Sequence, residues 1–159
     1  MDKKKLVQAI IAQLEKDIAA LKAAALETYA AATGEESQPE NEYDTRALEA
    51  SYLAGAQGKR VAEVEESLMT YKLLEVRDFD DQKPIGPTAL VDLDLDGKKS
   101  LAFITPASGG MVLKFEGQAI QVLTPKSPLG EALVGLKTGD FAIVDQANRT
   151  LEYEVLKVR

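Results

Sequence analysis

The sequence has no cysteine and no histidine. The first absence rules out disulfides and thiolate chemistry. The second rules out Ser-His-Asp triads, Cys-His pairs and the usual zinc sites. No apolar run approaches the roughly 20 residues that a membrane-spanning helix needs. The N-terminus, "MDKKKLVQAI", has no apolar core of signal-peptide length and flanks. A cytoplasmic protein without a membrane partner is therefore expected. Basic residues are outnumbered by acidic ones, 19 to 26, and the formal net charge is −7. Binding of DNA by wholesale phosphate neutralisation is not expected of such a chain, although a weak contact through a local basic patch stays open. The negative charge suits a partner with a positive or metal-bearing cavity.

The chain has 159 residues, 45% hydrophobic and 28% charged, enough for one ordinary domain or two small ones. In the first half, Val7, Ile11, Leu14, Ile18, Leu21, Ala25 and Thr28 recur at alternating spacings of four and three. That is a heptad seam. Ala47, Ala50, Ala54, Gln57, Val61, Val64, Leu68 and Tyr71 form a second seam. Gly34 is a plausible stop for the first helix, and Asp44 or Thr45 a cap for the second. Two seams joined by a short polar turn predict an antiparallel helical hairpin, with arms roughly 40 Å long at the usual rise. Val7, Ile11 and Leu14 are expected to face Leu68, Val64 and Val61, and Ala25 and Thr28 to face the alanines near the turn.

The turn, "ATGEESQPENEYDT", concentrates Glu35, Glu36, Glu40, Glu42 and Asp44 with no basic residue. A solvated turn on a structural coiled coil is one reading. The other is a slim acidic tip made for insertion into something narrow. "KKK" at 3–5 reads either as a solvated helix start or as an electrostatic contact with an acidic partner.

After Arg77 the periodicity changes. "ALVDLDLDGKKSLAFI" alternates around Asp96-Gly97, as a β-hairpin does. Residues 111–125 and 140–158 predict further strand pairs. "SPLGEALVGLK" predicts a short helix capped by Ser127, with Pro128 in its first turn and Leu129, Leu133 and Leu136 on one face. The whole reads as α+β: a helical hairpin over 1–76, then an antiparallel β domain with one short helix over 77–159. "DLDLDG" partly matches a calcium loop, but its twelfth position is Phe103 and its leucines alternate as in a strand. The strands offer no obvious deep aromatic pocket, which counts against an isomerase built on the second domain.

An acid-tipped helical hairpin followed by a small β domain resembles the Gre transcription elongation factors, the GreA/GreB-like family. Residues 40–68 resemble the tip and returning helix, "SPLGEALVGLKTGD" the most characteristic segment, and "TLEYEVLKV" the final strand. The resemblance implies an FKBP-like C-terminal domain that docks on bacterial RNA polymerase at the mouth of its secondary channel. Ser127, Pro128, Leu129, Gly130, Leu133 and Leu136 are the implied partner-binding residues. It also implies a coiled coil whose acidic tip stimulates cleavage of the nascent RNA 3′ end by helping to hold a second Mg²⁺. The implied protein is a monomeric accessory factor, not an enzyme by itself, with Lys16, Lys22, Arg46, Lys59 and Arg60 as candidates for gripping RNA.

The tip departs from the family pattern Asp-x-x-Glu-Asn-x-Glu-Tyr. Glu40-Asn41 and Glu42-Tyr43 match with one residue missing between them, and the leading acid falls on Ser37, beside Glu36. In a register without a gap from Lys59-Arg60, Glu40 takes the leading position, Tyr43 the Glu position, and Glu42 or Asp44 must serve. The expected catalytic acids are thus Glu36, Glu40, Glu42 and Asp44, with Glu40 and Glu42 as metal ligands shared with the polymerase. The alternative is a Gre-like regulator that occupies the channel without promoting cleavage.

Overall fold

The computed structural model describes residues 1–33 and 55–159. These fall into two compact units, one spanning Ile11–Lys72 and the other made of Met1–Ile10 with Leu73–Arg159.

Helix α1 runs from Lys3 to Thr33 and helix α2 from Ala56 to Lys72. Alanine, leucine, glutamate, lysine and glutamine dominate both, which favours helix at nearly every exposed position. The Asp2 carboxylate caps α1, accepting hydrogen bonds from the backbone N–H of Lys4 at 2.9 Å and of Lys5 at 3.2 Å. Three side-chain pairs run the helices antiparallel. Lys72 Nζ meets Glu15 Oε1 at 3.1–3.2 Å, as Lys22 Nζ meets Glu65 Oε1, and Gln57 Nε2 donates to Thr28 Oγ1 at 3.4 Å.

This register corrects the expected one by roughly twelve residues, about three turns. Thr28 lies opposite Gln57, and the alanines expected to face it, Ala47, Ala50 and Ala54, lie outside the described residues. At the other end of α1, Leu6, Val7 and Ile10 are buried and belong to the sheet unit. Within the helical unit Leu14, Ala25, Val61, Val64 and Tyr71 are buried, while Ile11, Ile18, Leu21 and Leu68 are half-buried.

The sheet unit holds strands β1 (Leu90–Leu95), β2 (Lys98–Ile104), β3 (Val112–Phe115), β4 (Gln118–Leu123), β5 (Phe141–Gln146) and β6 (Arg149–Val158). Helix α3 (Pro128–Leu133) lies between β4 and β5 in the chain. The spatial order is β3-β4-β2-β1-β6-β5. The tight turns between β1 and β2 and between β3 and β4 place Asp96-Gly97 and Glu116-Gly117 at positive φ, which twists each hairpin in the favoured sense.

The sheet is mixed, a correction to the antiparallel domain expected. Strand β4 runs parallel to β2, pairing Leu101 with Ile120 and Phe103 with Val122. The chain leaves β2 and passes one strand position before descending β3. The tight hairpin then returns β4 into the gap, parallel to β2. Backbone bonds from Thr105 N–H to Leu123 C=O (2.8 Å) and from Gly110 N–H to Val122 C=O (2.9 Å) hold this crossover.

One face of the sheet carries the main core: Val91, Leu93, Ala102, Ile104, Leu123, Ala142, Val155 and Val158, joined by Ile85, Ala89 and Leu133. Leu90, Leu101, Phe103, Ile120 and Val122 are also buried, and by strand alternation they point the opposite way. Asp92 and Asp94 of the calcium-like stretch sit in β1. Asp94 accepts the Gly97 N–H at 2.7 Å and Asp92 pairs with Arg159, so both carboxylates serve the strand and its turn.

Candidate functional site

Residues 127–140 form a stapled segment against the sheet. Ser127 caps α3 from an extended backbone conformation (φ −76°, ψ 150°). Its Oγ accepts from the Gly130 N–H at 3.2 Å and donates to the Thr124 C=O at 2.8 Å. Pro128 needs no amide partner in the first turn. A Cβ at Gly130 would lie 1.9 Å from the Thr124 carbonyl oxygen, so only glycine permits this approach. The helix ends sooner than its pattern suggests, at Leu133, because Gly135 turns to φ +90° and donates its N–H to Ile85 C=O at 2.8 Å. Ile85 N–H returns a bond to Leu136 C=O at 2.7 Å.

Further along, Asp140 Oδ2 accepts the Lys137 N–H at 2.7 Å. Thr138 Oγ1 donates to Asp81 at 2.9 Å and accepts the Val158 N–H at 3.2 Å. The characteristic segment thus works first as scaffold. Leu133 is fully buried, Gly130 is buried, and Leu129 and Leu136 pack against the core. Pro128, Glu131, Val134 and Gly135 are the exposed members that surround them.

Glu36, Glu40, Glu42 and Asp44 lie outside the described residues, as do Arg46 and the expected caps Asp44 and Thr45. Among the described residues, no group of three or more acidic side chains could hold a metal ion. Of the basic candidates on the helices, Lys16 and Lys59 are exposed, Lys22 pairs with Glu65, and Arg60 pairs with Glu63 at 3.4 Å. No helix among the described residues is long and apolar enough to cross a membrane.

Lys3 has a role that the "KKK" reading did not resolve. Its ammonium donates to the carbonyls of Arg77 and Thr88 and lies 4.9 Å from the Phe79 ring centroid. Burial lowers its pKa, against the opposing pull of Asp78. Lys4 and Lys5 are exposed. Periodicity could not separate Lys3 from its neighbours, because its partners are more than seventy residues away.

No protein-family model matches the chain. It is 27% identical over 105 residues to the transcription elongation factor GreA of Thermotoga petrophila and, equally, to that of Thermotoga maritima. The match covers 65% of this chain and 63% of each relative, less than two thirds of those proteins. Among solved structures, the transcription factor Gfh1 aligns over 95% of this chain and 94% of its own, at 20% identity and a TM-score of 0.41. Gfh1 of Thermus thermophilus covers 98% of this chain and 93% of its own, at 15% identity and a TM-score of 0.37. Likenesses at such scores support nothing further. The chain is thus similar, at low identity, to curated proteins that are GreA transcription elongation factors.

Proposed function

We propose that this chain is a Gre-type accessory factor of bacterial RNA polymerase, working in the cytoplasm as a monomer. The observation that carries the reading is the antiparallel pairing of α1 and α2 through Glu15–Lys72, Lys22–Glu65 and Thr28–Gln57, with six acids in the chain that links them, five of them within residues 35–44. In this reading the helical pair is a coiled-coil arm that enters the polymerase secondary channel. The sheet unit is an FKBP-like docking domain, and the 127–136 segment presents Pro128 and its exposed neighbours to the polymerase. Ser127, Gly130, Leu133 and Leu136 hold that surface in shape from beneath, and Leu129 sits at its edge.

The linking acids contribute little to folding, since like charges close together repel. Their use is to bring carboxylates to a metal held elsewhere. Glu40 and Glu42 would share a Mg²⁺ with the polymerase near the RNA 3′ end, and Glu36 and Asp44 would be the further catalytic acids. Bound there, such an ion supplies a polarised water and neutralises charge on the cleaved phosphodiester. The chain's own part is to deliver and orient oxygen ligands, which makes it an accessory factor and not an enzyme.

The test is transcript cleavage by a stalled, backtracked polymerase complex in Mg²⁺. Wild-type protein is expected to accelerate release of 3′ fragments. Combined Glu36→Ala, Glu40→Ala, Glu42→Ala and Asp44→Ala is expected to abolish that acceleration while changing stability by no more than about 0.5 kcal/mol. The missing residue between Asn41 and Glu42 favours the second reading, a channel-occupying regulator, because a carboxylate displaced by about 1 Å can cost on the order of a hundredfold in rate. Polymerase binding without accelerated cleavage would select it. Absence of binding would sink both.

A further inference from the structure

Strand β5 closes one edge of the sheet. Its sequence, Phe141–Gln146, contains no lysine, arginine or proline, the residues that commonly blunt an exposed edge. The Val155 N–H donates to Asp140 C=O at 2.9 Å, which sets the alternation along the β5–β6 pair. Ala142, Val144 and Gln146 therefore turn their backbone groups toward β6, and Phe141, Ile143 and Asp145 turn theirs outward. Among the described residues β5 has no second strand neighbour.

The outward-turned residues also carry the exposed side chains. Phe141 is 52% and Ile143 58% exposed, whereas Ala142 and Val144 beneath them are buried. On that face Phe141 stands opposite Glu154, Ile143 opposite Glu152 and Asp145 opposite Thr150. Asp94 follows Glu154 on the next strand. Two apolar anchors thus lie in an acidic field, beside a row of free backbone donors and acceptors.

We propose that the β5 edge is a strand-addition site for an extended segment of another protein that alternates apolar with lysine or arginine residues. The backbone row supplies the ladder; on the face of Phe141 and Ile143 the alkyl stems of the basic side chains cover these two apolar anchors while their charged ends meet Asp145, Glu152 and Glu154, and the apolar residues of the segment fall on the face of Ala142 and Val144. The same charge disfavours a second copy of this chain, whose β5 edge would bring a second set of Asp145, Glu152 and Glu154 to the same face. The proposal is independent of polymerase docking through residues 127–136.

The probe is a labelled lysine–valine–lysine–isoleucine–lysine–valine peptide, titrated with the full chain by fluorescence anisotropy. A control peptide carries glutamate in place of each lysine. The basic peptide is expected to bind at least about tenfold more tightly than the acidic one, and to weaken at high salt. Ile143→Pro removes an outward N–H and one of the two apolar anchors while sparing the β5–β6 ladder bonds, and is expected to weaken binding about tenfold. Paired Glu152→Lys and Glu154→Lys, which leave the edge backbone intact, are expected to reverse the peptide preference; this arm stands even if the proline variant folds poorly. Three results would overturn the proposal: equal affinity for both peptides, no binding at millimolar concentration, or full binding by a folded Ile143→Pro. A concentration-dependent dimer in sedimentation that Ile143→Pro abolishes would assign the edge to self-association and overturn it as well.

Discussion

The two units bury their side chains in different ways. The sheet unit has buried residues on both faces of a six-stranded sheet, and its backbone is tied across long sequence separations. In the described part of the helical unit, burial is a narrow seam of Leu14, Ala25, Val61, Val64 and Tyr71, supplemented by exposed ion pairs worth little individually. Charge divides likewise. The helical unit carries twelve acidic against six basic residues, and the sheet unit fourteen against thirteen. A unit that pairs two slim helices under net negative charge is poorly suited to be the source of stability.

The largest effect that would test this contrast is Leu133→Ala. The side chain is wholly buried between α3 and the sheet, and its loss is expected to cost about 2–5 kcal/mol in urea unfolding. Leu14→Ala should cost less, about 2 kcal/mol, because a thin seam collapses more easily around a cavity. Its loss should be confined to the helical unit, read as faster amide exchange in α1 and α2 with the β-strand amides unchanged. If Leu14→Ala destabilises both units equally, the contrast is wrong.

Ser127→Ala comes next. It removes the α3 cap and one bond to Thr124, at about 1 kcal/mol. Ser127→Asp should restore most of the loss in thermal melts, since aspartate also caps. The smallest expected effect is on pH dependence. Lys3 has a folded-state pKa lowered by burial from 10.5, so the unfolded chain binds its proton more tightly. Stability should therefore rise slightly as pH climbs from the lowered value toward 10.5, and Lys3→Met should flatten that rise in urea midpoints measured across the interval.

Much of this molecule is legible locally. The repeat at three and four residues marks both helices, Asp96-Gly97 marks the first hairpin, and Ser127-Pro128 marks the start of α3. Each signal works because its cause lies within a few residues: one helix face, one turn conformation, one cap. The candidate partner segment was equally visible as a motif, but its division of labour was not. Only packing distinguishes Leu133, which is enclosed, from Pro128, which is exposed.

The sequence by itself therefore determined the order of elements, the composition of the helical seams and the acidic character of the segment that links them. Tertiary structure alone decided the register of α1 against α2. It also decided the parallel pairing of β4 with β2, the use of Lys3 far along the chain, and which edge of the sheet lies open. These are choices between distant partners, and periodicity carries no information about which distant partner wins. That depends on the whole set of surfaces competing for burial.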